Sequence, residues 1–151
     1  MRSSRFTIRS ATELDRPAIL RINKVSFEQP FTENWYDGLQ ADPDKAVLVA
    51  ECGAQVVGFL IYYLRPEGVY VFYLAVAEQF RSMGVGSCLL EYLDEQLPAL
   101  GKQQVRLHVS AENKGALAFY ERNDFRPVAE MANLYGDGRR GLLLLHQGVK
   151  S

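Results

Sequence analysis

Short apolar runs alternate along the chain with segments in which apolar residues recur every three or four positions. The runs predict β-strands, and the spacing of three or four predicts amphipathic helices, the first of them with Leu14, Ile19, Ile22 and Val25 on its apolar face. Helices are predicted over residues 14–27, 33–39, 85–100 and 114–120, with Pro98 and Gly101 interrupting the third near its end. Strands are predicted over residues 6–9, 46–50, 56–63, 69–76, 105–110, 125–129 and 141–145.

The resulting order, β-α-α-β-β-β-α-β-α-β-β, combines hairpins with helical crossovers. Such an order predicts an α/β (α+β) fold with a mixed, mostly antiparallel sheet of about seven strands and helices on both faces. The strands over 46–50, 56–63 and 69–76 are apolar on both faces, as expected of strands enclosed between helices. Thr32 and Asn113 are predicted N-caps of the helices that follow them. The length of 151 residues predicts a single domain over 1–151.

Composition restricts the function classes only moderately. The chain is 48% hydrophobic and 23% charged with a formal net charge of −1, which is ordinary for a soluble protein and gives no sign of general nucleic-acid binding. No run approaches the roughly 20 apolar residues of a membrane span, and no apolar signal core follows the basic N-terminus. We therefore expect a cytoplasmic protein without membrane or nucleic-acid partners. The two cysteines, Cys52 and Cys88, match no metal-binding spacing.

The most informative stretch is a glycine loop, residues 79–87, between the strand over 69–76 and the helix over 85–100. Glycines at the opening of a helix let a ligand approach the backbone closely. The first N–H groups of the helix lack internal partners and, with the helix dipole, favour a phosphate. A Walker loop is excluded because no Lys-Ser/Thr follows Gly86, and the dinucleotide fingerprint is excluded because Leu89 occupies its third glycine position.

The pattern that fits is Arg81-x-x-Gly84-x-Gly86, joined by a second block over residues 113–125. In that block Asn113 precedes Ala116 and Tyr120 at the spacing Asn-x-x-Ala-x-x-x-Tyr, and Asp124 precedes Phe125. Together the two blocks resemble the GNAT superfamily of acyl-CoA N-acyltransferases, and the resemblance covers essentially the whole chain in element order. Asp124 departs from the glycine that is usual in this superfamily before the phenylalanine.

The resemblance implies a GNAT fold and acetyl-CoA as the cofactor, with CoA as a product. By matched position, backbone groups of Leu74 and Val76 would bind the pantetheine arm, and the amides from Arg81 to Ser87 would hold the pyrophosphate. Asn113 would contact the pantetheine region, and Tyr120 would lie near the thioester sulfur. The full implied cofactor set is Leu74, Ala75, Val76, Arg81, Ser82, Met83, Gly84, Val85, Gly86, Ser87, Asn113, Ala116, Phe119 and Tyr120.

Acetyl transfer to an amine requires an amine that loses a proton, a donor to the oxyanion and a proton for the departing thiolate. By resemblance, Tyr120 is the candidate acid and the Val76 N–H is the candidate oxyanion donor. No metal or covalent nucleophile is needed. The central strand carries Phe72 and Tyr73 where many members of the superfamily place a glutamate. The candidate base is therefore His108, five residues before Asn113, and Glu51, Glu112 or a water relay remain alternatives.

The acceptor amine is the least defined part of the predicted reaction. The segment over 28–33, with Phe31, and the segment over 133–138, with Tyr135, resemble the substrate-lining segments of the ribosomal-protein-alanine N-acetyltransferase branch, which makes both residues candidate substrate contacts. Six carboxylates against one lysine over residues 28–51 either attract a cationic amine or form a solvated surface. We expect a protein N-terminal or lysine acetyltransferase, acting as a monomer or homodimer. The alternatives are a small-molecule amine or polyamine acetyltransferase and a non-catalytic acyl-CoA sensor or interaction module.

Overall fold

The computed structural model describes residues 5–132 and 138–147. Four α-helices are described, namely α1 (Arg16–Ser26), α2 (Glu33–Gly38), α3 (Val85–Leu100) and α4 (Lys114–Arg122). Short 3-10 turns cover Glu13–Asp15, Leu39–Ala41 and Glu78–Phe80. The strands are β1 (Thr7–Ser10), β2 (Lys45–Cys52), β3 (Gln55–Arg65), β4 (Gly68–Val76), β5 (Gln104–Ser110), β6 (Arg126–Met131) and β7 (Gly141–Gln147).

The predicted order of strands and helices is confirmed. The strands hydrogen-bond in the order β1-β2-β3-β4-β5-β7-β6 within one seven-stranded sheet. β4 and β5 pair in parallel, whereas β1 with β2, β2 with β3, β5 with β7 and β6 with β7 pair antiparallel. The sheet is therefore mixed, as the alternation of hairpins and crossovers predicts.

Two details differ from the sequence expectation. α3 ends at Leu100 as predicted, but Pro98 does not interrupt it, because a proline in the last turn removes only one helical N–H near an end that terminates anyway. Leu14 and Val25 are 91% and 69% exposed instead of facing the core. Leu14 precedes α1 in a 3-10 turn, and Val25 lies in the last turn of α1, beyond the residues that the helix buries.

The described chain divides into two compact units. The first contains the residues up to Leu64 together with Phe72–Leu93, and the second contains Arg65–Val71 together with the residues from Asp94 onward. That residues 1–151 form a single domain stays a prediction.

The first unit has helices on both faces of its strands. On one face, Ile19 of α1 and Tyr36 of α2 pack with Phe59 of β3 in a buried cluster. On the other face, Gly58 of β3 lies against Val85 and Leu89, both fully buried on α3. Successive residues of a strand face opposite sides, so Gly58 and Phe59 show directly that β3 is covered on both sides.

The second unit is built on β5 and β7. Val105, Leu107 and Val109 alternate into its interior along β5, and Leu144 of β7 is buried with them. Phe125, just after α4, is also buried, so the helix is anchored at its C-terminal end.

Candidate active site

The glycine loop presents the start of α3 as a cluster of backbone donors. Ser82 and Gly84 have φ of 65° and 87°, which turns the chain sharply before the helix. The Cys88 N–H donates to the Gly84 carbonyl at 3.0 Å, which identifies Gly84 as the residue that precedes the first helical turn. The amides of Val85, Gly86 and Ser87 therefore have no acceptor within the helix. Together with the helix dipole, they can hold an anionic phosphate.

Arg81 lies beside this turn. It is exposed, and its Nε donates to the Val76 carbonyl at 3.3 Å. The bond places the guanidinium at the end of β4. Arg81 lies in the same loop as Gly84, so this exposed cation can add positive charge to a phosphate site at the start of α3.

The end of β4 carries the predicted pantetheine contacts. Its described register with β5 covers Val69 and Tyr70 only, so Leu74 and Val76 lie beyond the paired part. On the other side, the Ala77 N–H donates to the Val57 carbonyl of β3 at 2.8 Å, which holds the strand end in place. A strand end held on one side can bind an extended ligand by main-chain hydrogen bonds, as an added strand does.

Asn113 is confirmed as the N-cap of α4. Its side-chain Oδ1 accepts from the Ala116 N–H at 3.1 Å, and its carbonyl accepts from the Leu117 N–H at 3.0 Å. The cap uses the side-chain oxygen, and the amide nitrogen is the donor through which Asn113 would contact a cofactor. Ala116 and Phe119 follow on α4, where both are half-buried.

Tyr120 lies in the last turn of α4 and is half-buried. Its ring contacts those of Phe119 and Phe125 at centroid distances of 5.1 and 5.5 Å. The Tyr120 carbonyl accepts from the Asn123 and Phe125 N–H groups, both at 3.0 Å, which closes the helix end. Asp124 has a φ of 67° in that closing turn, so it adopts the left-handed conformation that a glycine usually provides.

His146 of β7 supports the same helix end. Its Nδ1 lies 3.3 Å from the Asp124 carbonyl oxygen, and its Nε2 lies 3.1 Å from Asp94 Oδ1 on α3. The ring also packs on Phe125 at a centroid distance of 5.3 Å. The turn that positions Tyr120 is therefore attached to β7 and to the C-terminal part of α3.

His108 lies on the solvent-facing side of β5, with its ring 5.9 Å from that of Tyr70. Neighbouring groups remove part of the hydration of the imidazole, and this desolvation lowers the pKa of His108 below its ordinary value of 6.5. The imidazole is therefore neutral near pH 7 and able to accept a proton. Of the alternative bases, Glu51 is already bonded to Arg9 at 3.3 and 3.4 Å, whereas Glu112 is exposed.

Phe31, the predicted substrate contact, is only 8% exposed. Its ring lies 5.2 Å from that of Trp35 and 4.9 Å from that of Tyr73, in an aromatic cluster on the α1–α2 side of β4. Burial in this cluster raises the pKa of the Tyr73 phenol, so the hydroxyl stays protonated. Phe72, the neighbouring strand residue, is 38% exposed and stacks on Tyr63 at 4.1 Å.

Asn23 is a residue that the sequence analysis did not single out. It is 4% exposed, its Nδ2 donates to the Phe31 carbonyl at 2.9 Å, and its Oδ1 accepts from the Phe31 N–H at 3.1 Å. The side chain therefore fixes the backbone of the segment between α1 and α2. A polar residue on the buried face of an amphipathic helix, next to Ile22, is the signal that could have indicated a specific partner.

The structure places the predicted residues in two groups. Residues 74–76, residues 81–87 and Phe31 belong to the first unit, whereas His108, Asn113, Ala116, Phe119 and Tyr120 belong to the second. Tyr135 and most of its segment lie outside the described residues. Among the residues that are described, no group of three or more His, Cys, Asp or Glu side chains has the arrangement of a metal site. In the same ranges, no helix is long and apolar enough to cross a membrane.

A cavity of about 410 Å³ lies elsewhere, between the start of α1 and α2. Arg16 in its wall bonds Asp37 at 2.8 Å and Glu33 at 2.9 Å, so its guanidinium is engaged within the protein. None of the predicted site residues lines it. The cavity is lined by Thr12, Glu13, Arg16, Tyr36, Asp37 and Gln40.

Comparison with known proteins identifies the family of the chain. The profile of the acetyltransferase (GNAT) family matches residues 16–125. The chain belongs to this family, and it is an N-acetyltransferase that uses acetyl-CoA.

Relatives of known name match over nearly their whole length. An N-alpha-acetyltransferase of Sulfolobus acidocaldarius is 27% identical over 156 residues, which cover 95% of this chain and 93% of that protein. The ribosomal protein bS18-alanine N-acetyltransferase of Escherichia coli is 27% identical over 141 residues, covering 92% and 95%. The crystal structure of Ard1 from Thermoplasma volcanium superposes with a TM-score of 0.87 at 26% identity, covering 97% of this chain and 99% of that one.

Proposed function

We propose that the protein transfers the acetyl group of acetyl-CoA directly to an amine of a protein, at an N-terminus or a lysine, within a ternary complex. The observation that carries the proposal is the set of amides without helical acceptors at the start of α3, next to the end of β4. Relatives named for N-terminal and ribosomal-protein acetylation support a protein acceptor. We further propose a cytoplasmic enzyme that acts as a monomer or homodimer.

In this proposal the cofactor is bound mainly by backbone groups. The amides of Val85, Gly86 and Ser87 donate to the pyrophosphate, and Arg81 exchanges its bond to Val76 for one to a phosphate oxygen. Residues 74–76 pair with the amides of the pantetheine arm. Asn113 donates from its side-chain nitrogen while its oxygen continues to cap α4.

The chemical step forms a C–N bond and breaks a C–S bond. The amine nitrogen attacks the thioester carbonyl carbon, and the Val76 N–H donates to the developing oxyanion. The C–S bond then breaks, and Tyr120 donates its phenolic proton to the departing thiolate. An ordinary tyrosine side chain, with a pKa near 10, is protonated at neutral pH and can supply that proton.

His108 is the proposed base that removes the proton from the attacking amine. Its lowered pKa keeps the imidazole neutral at neutral pH, which is the form that accepts a proton. A weakly basic imidazole cannot deprotonate an alkylammonium efficiently by itself, so the proposal assigns it the proton that leaves as the C–N bond forms, when that proton is more acidic.

Ion pairs within the protein weaken the case for a small cationic acceptor. Most carboxylates over residues 28–51 are held in such pairs: Glu33 and Asp37 with Arg16, Asp42 with Lys45 at 3.6 Å, and Glu51 with Arg9. Paired carboxylates attract an external amine less than the sequence count suggests, even though Glu33 and Asp37 share one arginine. A protein acceptor that contacts the segments of Phe31 and Tyr135 therefore remains the proposal.

The test is a CoA-release assay with peptides that carry a free N-terminus, peptides that carry only lysine amines, and small amines and polyamines. We expect turnover with peptides, and Tyr120→Phe should lower kcat by roughly 100-fold while leaving the Kd for acetyl-CoA within about twofold. Tyr92→Phe on α3 removes a phenolic hydroxyl outside the proposed chemistry and serves as the matched control. Turnover confined to small amines would overturn the protein acceptor, and acetyl-CoA binding without turnover on any amine would favour a sensor.

A pH–rate profile tests His108. As the pH falls through the lowered pKa of His108, the imidazole becomes protonated and kcat/KM should fall. His108→Ala should remove this acidic limb and lower the rate at neutral pH. An unchanged limb in the variant would reject His108 and favour Glu112, Glu51 or a water relay. His146→Gln, which changes a histidine outside the proposed chemistry, should retain the limb.

A further inference from the structure

Gly58 of β3 lies under the part of the cofactor site that the first unit contributes. A Cβ at this position would stand 3.0 Å from the Ala75 carbonyl oxygen, 3.0 Å from Val85 Cγ1 and 3.6 Å from Leu89 Cδ1. The position does not have the positive φ that favours glycine, as Gly84 has. Space, and not backbone conformation, is therefore the reason for a glycine here.

The tight neighbours have little freedom to move. Ala75 contributes a main-chain oxygen of β4, and Val85 and Leu89 are fully buried. Optimal contacts between carbon atoms lie near 3.5–4.0 Å, so an added methyl group at 3.0 Å requires a shift of a few tenths of an ångström. In a close-packed interior such a shift moves the strand end or the first turn of α3.

Two of these neighbours belong to the cofactor site. Ala75 lies between Leu74 and Val76, the proposed pantetheine contacts, and Val85 is the first residue of α3 and contributes an amide to the proposed pyrophosphate site. The missing side chain at Gly58 thus sets how closely the first turn of α3 approaches the end of β4.

We propose that Gly58 is a positioning residue for acetyl-CoA, one that holds the phosphate-binding turn and the pantetheine-binding strand at their working separation. The inference rests on the proposed roles of Val85 and Val76. Hydrogen bonds of the amides weaken outside the range of about 2.7–3.2 Å, so a small displacement of the turn acts on several bonds to one ligand together.

The test compares Gly58→Ala with Gly38→Ala. Gly38 also has an ordinary φ, of −68°, but a Cβ there meets nothing within 4 Å. Gly58→Ala should raise the Kd for acetyl-CoA at least about tenfold, a loss of about 1.4 kcal/mol, and should raise the acetyl-CoA KM more than the acceptor KM. Gly38→Ala should change neither. A Gly58→Ala protein that is less stable but binds acetyl-CoA with unchanged Kd would overturn the proposal.

Val85→Ala gives an independent comparison, because it removes the Cγ1 atom 3.0 Å from the new methyl group but keeps the amide. In that background Gly58→Ala should weaken acetyl-CoA binding by a smaller factor, since the Ala75 oxygen is then the one contact at that distance. Weakening of acetyl-CoA binding by the same factor in both backgrounds would overturn the proposal, because the contact with Val85 would then play no part. Wild-type protein that fails to bind acetyl-CoA would instead contradict the proposed function.

Discussion

Two regions are built on different principles: the glycine loop with its flanking residues, 76–88, and the α1–α2 segment, residues 27–36, which joins α1 to α2 and includes the first turn of α2. The loop presents backbone amides whose direction is set by Gly84 and by the start of α3. The α1–α2 segment is held by side chains, with Asn23 bonded to the backbone of Phe31 and aromatic rings packed around it. A site made of backbone accepts few residue types at its turns, whereas a site made of side chains can be built from many sequences.

This difference explains why one region identifies a ligand from sequence and the other does not. The proposed pyrophosphate contacts require glycine at particular positions, which leaves a motif. The proposed acceptor side depends on shape and polarity, and Phe31 there belongs to a cluster of rings with Phe27, Trp35 and Tyr73.

The largest effect on stability is expected from a substitution on the α1–α2 side. Asn23→Leu leaves the Phe31 N–H and carbonyl buried without their partners, which should lower the free energy of unfolding by about 2–4 kcal/mol. Chemical denaturation measures it, with the exposed Asn34→Leu on α2 as the control. If the α1–α2 segment contacts the acceptor and the glycine loop contacts acetyl-CoA, the KM for the acceptor rises and the Kd for acetyl-CoA does not change. A rise in that Kd instead would show that the two regions are mechanically coupled.

An intermediate effect is expected on the loop side. Gly84→Ala adds a methyl group that meets nothing within 4 Å, so only the φ of 87° opposes it. A non-glycine residue in a left-handed conformation costs about 1–2 kcal/mol. Part of this cost should appear in calorimetric titration as weaker acetyl-CoA binding. The rest should appear in chemical denaturation as a lower free energy of unfolding. Unchanged values in both measurements would show that the turn does not depend on glycine.

The smallest effect is expected at the N-cap of α2. Thr32 Oγ1 accepts from the Trp35 N–H at 3.0 Å, and Thr32→Ala should cost about 1 kcal/mol of stability. Thr32→Ser keeps the acceptor oxygen and should restore most of the loss in thermal denaturation. Because the cap lies on the α1–α2 side, acetyl-CoA affinity should be unaffected. Equal stability of the Ala and Ser variants would show that the cap contributes nothing.

Strands, helices and helix caps were predicted correctly where the local sequence determines them. The period of the apolar residues indicated each strand and α-helix that the structure describes, and Thr32 and Asn113 were identified as caps from their residue type and position. Pro98 and Leu14 were misjudged because the end of a helix tolerates a proline and because a 3-10 turn rotates the residues that precede the helix. Neither effect is visible in a periodic pattern.

For the site, sequence alone proposed main-chain positions and residues at motif spacing, and their roles stay predictions. It did not find Asn23 or Gly58, because their importance depends on partners elsewhere in the chain, Phe31 in one case and Ala75 and Val85 in the other. The roles of His108, Tyr120, Phe31 and Tyr135 stay predictions until the variants are measured.

Asn113 shows how one side chain can restrict the sequences that a family member accepts. Its oxygen caps α4, and the proposed contact with acetyl-CoA uses its nitrogen. Aspartate or serine would cap the helix equally well, yet aspartate would bring a negative charge toward the cofactor and serine would lack the second donor. A substitution scan at this position would therefore separate tolerance of the fold from tolerance of the reaction. In this proposal, the substitutions accepted at Asn113 are those that keep both the helix cap and the contact with acetyl-CoA.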